Sequence, residues 1–515
     1  MKYRLALVLL ILAYSGYAQV KQPWVDYYDK ARVQKRSEGL FLNGLEEGMW
    51  NHYYASGRLQ EQLNYIEGKL HGAVTAWYEN GQMQNRGFFI YNRPDSLYEA
   101  WYTNGNLKTS GRFNRGLKTG EWRHFYADGR PHYTEIWGDS AVSVSAAYDT
   151  LGVPTLTAGN GTLYKYRQGT LEAAAVYKNG LRHGKFTQYY GENRLRELAT
   201  YQEGKLSGYR KLFFENGNPS FEAVYAAGKL QDEAVSYYEN GKIKTNGTYA
   251  AGLKHGEWKF YDASGKLYMH GNFDLDRQHG YWKYFYEGSE ICESEGNFSF
   301  GKKAGKWMFR YPAGEMWRTG SYLQGEKDSL WQTWFENGNL LQRGAYVKGL
   351  EDGLWESRYE GRNLKDKGYY RLGLMDGKWE GWYENGNRNY VGTRKKGEKH
   401  GKWIHGYSNG NIREEVAYLK GIPHGKWTAY YSDGKTEYTG QYKEGKKTGV
   451  WKYYTEYGML VRSMGYKSDR LHGKCMAYQK GGLPEMEMYY QNGVATGTWK
   501  IYDEKGAVKQ TLNKD

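Results

Sequence analysis

A 24-residue period constrains this chain more than any other feature. Gly256-Glu257-Trp258, Gly280-Tyr281-Trp282, Gly305-Lys306-Trp307, Gly353-Leu354-Trp355, Gly377-Lys378-Trp379, Gly401-Lys402-Trp403, Gly425-Lys426-Trp427 and Gly449-Val450-Trp451 recur at 24 residues, with 25 once and a doubled gap bridged by Ser329-Leu330-Trp331. Extending the grid through Gly48, Gly72, Ser96, Gly120, Gly161, Gly184, Gly208, Asp232, Gly473 and Gly497 gives 19 anchors, and 12 of the 19 Trp stand two residues after one. A chain built on one short period folds as an array whose units bury surface against their neighbours. The three or four globular domains that 515 residues would otherwise suggest are therefore not expected. Between Gly120 and Gly161 the grid is broken, and 139–160 is expected to be an irregular insertion or hinge separating 19–138 from the array 161–515.

Within a module the punctuation is that of a hairpin. Asn-Gly or Asp-Gly follows the anchor by eight or nine residues, as at Asn80-Gly81, Asn216-Gly217, Asn385-Gly386 and Asp433-Gly434. Such dipeptides supply the two positive-φ residues of a type I′ turn. A second Gly stands twenty residues after the anchor, as at Gly252, Gly349, Gly397 and Gly445, so each module holds two strands and two turns. Alternation in steps of two puts Trp379 and Tyr383, or Trp427 and Tyr431, on one face and Lys and Glu on the other. Closing the hairpin at Asn-Gly sets each Trp opposite a Gly: Trp258/Gly271, Trp307/Gly320, Trp331/Gly344, Trp355/Gly368, Trp379/Gly392 and Trp427/Gly440. An indole lying across a strand glycine fills the gap and shields the backbone, so Trp379 is expected to cover Gly392.

The segment Gly247-Thr248-Tyr249-Ala250-Ala251-Gly252-Leu253-Lys254-His255-Gly256-Glu257-Trp258, repeated as Gly440 to Trp451, resembles the MORN repeat. More narrowly, it resembles the variant found in bacterial envelope proteins often labelled YwqK-type antitoxin components. The resemblance extends over nearly all of 38–515 and implies an elongated, single-layer, all-β antiparallel meander serving as an interaction surface. With 19 anchors and two strands each, 38 strands are expected, with a degenerate cap from about Tyr27. The chain departs from the pattern at Asp232, at Arg210 and Ala234 in Trp positions, and at Arg394 in a Tyr/Phe position.

Composition narrows the chemistry. Sixty-nine Gly with only 8 Pro excludes collagen, and 17% aromatics excludes a disordered chain. Met1-Lys2-Tyr3-Arg4, the apolar run Leu5 to Ala13 and Gly16-Tyr17-Ala18 read as a signal peptide over 1–18, cleaved before Gln19. The run is shorter than the roughly 20 residues that span a bilayer. A periplasmic or secreted mature chain without a transmembrane segment is expected. Cys292 and Cys475 lack metal or redox spacing and are expected to stay unpaired. The net charge of +15 arises mainly in 301–515, which carries 37 basic and 25 acidic residues against 33 and 32 in 19–300.

No catalytic, metal or cofactor site is expected. Seven of the 12 His directly precede an anchor, among them His255, His279 and His424, and read as turn residues of the repeat. Gly440 to Lys446 matches the start of a P-loop, but Lys447 stands where Ser or Thr must meet magnesium, and no helix follows. Arg394, Lys395 and Lys396 could meet phosphate or anionic lipid, though nearby acidic residues favour a solvated face, and secretion disfavours nucleic acid. The expected function is non-catalytic binding or scaffolding in the cell envelope with another protein as partner. Alternatives are an antitoxin-like neutraliser and an aromatic-lined glycan platform. The expected binding surface is an exposed stripe of Trp307, Trp331, Trp355, Trp379, Trp403, Trp427 and Trp451, joined by Tyr383, Tyr431, Arg394, Lys395 and Lys396.

Overall fold

The computed structural model describes residues 21–139 and 141–514. The expected signal peptide therefore lies outside the described residues. Among those described there are 43 strands and no helix, so no helix is long and apolar enough to cross a membrane. The chain divides into two units, Met1–Gly241 and Lys242–Asp515. Within each, consecutive strands pair antiparallel in a meander, as expected of an all-β array.

All 19 anchors have positive φ, from 60° at Asp232 to 134° at Gly161, and the non-glycine anchors Ser96 and Ser329 share this conformation at 63° and 61°. All but Gly161 stand at a register shift in which their own strand carries two extra residues, as Gly256 and Glu257 do between His255 and Trp258, which oppose the consecutive Thr248 and Gly247. Glycine recurs every 24 residues because a left-handed bulge recurs there.

The Asn-Gly turn is not the expected type I′ turn. At Tyr383–Gly386 the Gly386 amide donates to Tyr383 O at 2.9 Å and the Tyr383 amide to Asn387 O at 2.8 Å. Only Gly386 of the Asn-Gly pair has positive φ, 88°. This is a type I turn closed by a glycine bulge, and the bulge restores the register that a two-residue loop would have given. Type I′ conformation occurs at the second turn, as at Lys396 (50°) and Gly397 (86°). Asn385 is used for its amide: its Oδ1 accepts from the Asn387 amide at 3.1 Å, and its Nδ2 donates to Ser408 O, one module on, at 2.6 Å.

Within 141–160 the chain forms strands joined by short turns rather than an irregular insertion. Val142–Tyr148 and Pro154–Thr157 continue the meander, and Val144, Ala147, Leu156 and Leu163 form a small buried core beneath Tyr133 and Tyr177. Pro154–Thr157 is too short to cover its neighbour, so the turn at Gly180 closes over it, accepting from the Val144 amide at 2.8 Å. Likewise the chain does not begin its sheet at a cap near Tyr27, because Lys21–Tyr27 already pairs with Lys35–Leu42.

Candidate functional site

The Trp/Gly pairs fall in register, including Trp258 with Gly271 and Trp379 with Gly392. The covering indole, however, comes from the other neighbour. A Cβ added to Gly392 would meet the Trp403 ring at 2.1 Å, and one added to Gly368 would meet Trp379 at 2.2 Å. Each indole leans back over the glycine eleven residues earlier and donates Nε1–H to the next carbonyl: Trp403 to Thr393 O, and Trp379 to Tyr369 O, both at 3.0 Å. The chain contains its own control at Val416, which stands where Trp427 expects glycine. There the Trp427 Nε1 is buried without a partner, and its ring lies 44° from Tyr442 instead of the 85–90° of the regular edge-on pairs.

The expected exposed stripe is consequently an internal spine. Trp307 and Trp403 are 0% and 2% exposed, Trp331, Trp379 and Trp451 are also buried, and only Trp355 and Trp427 are half-buried. Backbone glycine covers one side of each of these indoles except Trp427, where Val416 stands instead. On the other side the residue four before it lies over the ring: Lys303 is 4.1 Å from Trp307, Lys327 4.8 Å from Trp331, Lys399 4.6 Å from Trp403 and Lys447 4.4 Å from Trp451. Burial pushes the Lys303, Lys327 and Lys399 amines below the ordinary lysine value, helped by Arg318 for the first two and by Arg394 for the third.

Tyr383 and Tyr431 are likewise structural, donating Oη–H to Gly406 O at 2.9 Å and Tyr454 O at 2.8 Å and so stapling each module to the next. Arg394 replaces the usual ring beside Trp403, its guanidinium 5.5 Å from the indole and its Nη1 donating to Gly397 O at 2.7 Å. Lys395 and Lys396 are exposed at the following turn. The three basic residues do not converge on a site.

A second row of cross-strand partners runs beside the spine on the same face. Through its first part it carries Phe260, Met269, Tyr284, Ser294 and Phe309. The three rings slot between successive indoles: Phe260 between Trp258 and Trp282 at 5.9 and 6.5 Å, Tyr284 between Trp282 and Trp307 at 6.0 and 6.3 Å, and Phe309 between Trp307 and Trp331 at 5.8 and 6.4 Å. From there the row reads Arg318, Thr333, Gln342, Ser357, Asp366 and Gly381 before Tyr390 restores a ring. Six strands at the usual spacing of about 4.8 Å make this ring-free tract about 24 Å long.

Two cavities open along it and share Trp355 and Gln342. One, of about 170 Å³, lies between Trp331 and Trp355 beside Arg318 and Thr333; the other, of about 290 Å³, lies between Trp355 and Trp379 beside Ser357, Asp366 and Tyr390. The residues that would lie over Trp355 and Trp379 here are Glu351 and Met375 rather than lysine. Tyr390 closes the far end by lying over Gly381 and donating Oη–H to Asp366 Oδ1 at 2.6 Å; Ser357 Oγ donates to Asp366 Oδ2 at 3.2 Å. Burial, then the bond to Asp366, raises the Tyr390 phenol above its ordinary value, so it stays a donor. On the opposite face of the same strand, burial would raise the Glu356 pKa, but hydrogen bonds from Lys367 and Arg343 outweigh that and hold it low. A cavity of about 290 Å³ in the first unit is lined by Lys165, Arg182 and Phe186 and has no indole walls.

The site residues missed from the sequence are Thr333, Gln342, Ser357 and Asp366. Their signal was present four residues after each anchor, where Phe260, Tyr284 and Phe309 give way to Thr333, Ser357 and Gly381.

The fold defines a repeat protein, an all-β array of antiparallel strands. The chain carries repeats of the MORN repeat variant family, matched over 46–67, 70–91, 233–251, 254–274 and 423–444. No curated protein matches it. Among solved structures it is similar to a Photorhabdus luminescens Tc holotoxin pore at 11% identity, covering 96% of this chain and 32% of the other with a TM-score of 0.12. The complex TcdB2–TccC3–Cdc42 matches at 10% identity over 95% and 32%, also with a TM-score of 0.12. The chain thus spans about a third of the length of these proteins.

Proposed function

We propose that this is a non-catalytic binding protein of the cell envelope that holds its partner in the groove between Trp331 and Trp379. The supporting observation is that a ring-filled stack becomes ring-free over six consecutive strands, leaving two indole-walled cavities with polar floors. Open concave space with a few convergent polar groups is where ligands bind. A non-catalytic role agrees with the commitment of the floor's acidic group, Asp366, to Ser357 and Tyr390. Placement in the envelope rests on the amino-terminal sequence 1–18.

The test is affinity capture from envelope extract with the full-length mature chain and with Ser357→Phe, which supplies the kind of ring that Phe260 and Phe309 supply upstream. Capture by the unaltered chain, its loss in the variant and an unchanged melting temperature are expected. Equal capture by both would contradict the assignment.

A further inference from the structure

We infer that the cavity of about 290 Å³ in the first unit binds a monocarboxylate with a short apolar body, at a site separate from the groove of the second unit. Its shape follows from the register. The strand Thr170–Lys178 places Ala173 between its cross-strand partners Lys165 and Gln188, and Ala175 between Leu163 and Phe186. Two methyl groups thus form a floor, with Leu163 and Lys165 as one wall and Phe186 and Gln188 as the other. The walls belong to strands two apart, about 9.6 Å. Lys165 follows the anchor Gly161 by four residues, the position where Phe260, Tyr284 and Phe309 supply rings in the second unit. The space that a ring fills there is open here and bordered by an amine.

The cavity is short of negative charge. The Lys165 amine lies 5.0 Å from the Tyr133 ring, and the Arg182 guanidinium lies 5.0 Å from Phe186 and 5.3 Å from Tyr201, whose Oη accepts from Arg182 Nη1 at 3.5 Å. Among the described residues neither cation forms an ion pair, and the carboxylates that act on Lys165 are engaged elsewhere. Glu135 holds His124 at 3.5 Å and accepts the Trp137 indole N–H at 3.0 Å, while Glu172, which also lines the cavity, is held by Arg167. Burial, joined by the charge of Arg182, pushes the Lys165 amine below the ordinary lysine value against the pull of Glu135. An anion in the cavity would give Lys165 the partner it lacks and screen two like charges from each other.

The walls select the anion. Leu163, Ala173, Ala175 and Phe186 supply no side-chain donor, whereas Lys165, Arg182 and the Gln188 amide can donate to the two oxygens of a carboxylate. The cost of burying an ion grows with the square of its charge, so a phosphate dianion gains less from these walls than a carboxylate does. The apolar lining takes a chain of a few carbons. Two sources present such a group: a free organic acid, and the carboxyl terminus of a peptide ending in an apolar residue.

The experiment is calorimetric titration of the full-length mature protein with 4-methylpentanoate and with an acetylated tetrapeptide ending in leucine, each against its carboxamide, and with inorganic phosphate. At least one free acid should bind, and its carboxamide should bind about tenfold more weakly or worse. Binding of the small acid alone assigns the site to organic acids, and tighter binding of the peptide assigns it to a carboxyl terminus. Lys165→Met should weaken the acid by about tenfold or more without lowering the melting temperature, because it removes a half-buried charge that has no partner. Lys395→Met, at an exposed turn, and Ser357→Phe, in the groove, should leave binding unaltered. Failure of both acids, equal binding of acid and carboxamide, tighter binding of phosphate, or full binding by Lys165→Met overturns the inference. Loss of binding in Ser357→Phe would place the ligand in the groove and overturns it equally.

Discussion

Gly392 shows how one residue carries two neighbours. It is paired with Trp379 across one hairpin and covered by Trp403 across the next, so it has no room for a side chain. Gly392→Val should therefore dislodge Trp403 rather than Trp379, breaking the bond to Thr393 O and destabilising the chain by about 1–3 kcal/mol. Residue-resolved exchange of the two indole N–H groups separates the outcomes: faster exchange at Trp403 with Trp379 unaltered is expected, and the reverse would contradict the covering geometry. Val416 already imposes a milder form of this change on Trp427, which has lost its acceptor. The sequence disclosed the pairing, because register follows from turn spacing. It could not disclose the covering partner, because a glycine between two tryptophans is opposite both, and only the lean of the indole distinguishes them.

At the scale of the strand, each face is stabilised differently. The indole face is apolar contact over glycine, whereas the other face carries cross-strand charge pairs, such as Arg343–Glu356 at 2.8 Å and Glu356–Lys367 at 3.1 Å across three consecutive strands. Glu356 is buried, and its pKa is depressed in the fold. A depressed carboxyl contributes stability that is present above its unfolded pKa and lost as pH falls through the folded one. The melting temperature of the unaltered chain should thus exceed that of Glu356→Gln near neutral pH, and the difference should shrink below about pH 4.3. A difference independent of pH would show that the pairs contribute nothing through charge. The alternation that separates these faces was legible in the sequence. The turn types were not, because Asn-Gly suits both a type I′ turn and a bulged type I turn, and only the amide of Asn385, reaching Ser408, reveals which advantage is used.

At the scale of the whole molecule, each unit is a series of strands touching their neighbours, so a lesson from one module should stay local. Trp451→Ala removes a 1%-exposed indole and should cost about 3–5 kcal/mol. Hydrogen exchange should rise in the strands around Thr436–Lys443 and Leu460–Lys467 and remain unchanged at Leu253–Tyr261; a uniform rise across 253–515 would instead mark one cooperative block. The same one-dimensional logic explains why the site was hard to read: the period drew attention to the Trp that recur, while the groove is made by rings that fail to recur at Thr333, Ser357 and Gly381.

The central claim, an internal indole spine opened at Trp355, is tested most directly by hydroxyl-radical footprinting of the full-length protein with residue-level readout. Trp355 should be oxidised well before Trp307, Trp403 and Trp451, and the bound partner should protect Trp355 while leaving half-buried Trp427 as reactive as before. Equal oxidation of Trp307 and Trp355, or protection that falls on Trp427 and spares Trp355, would contradict the account.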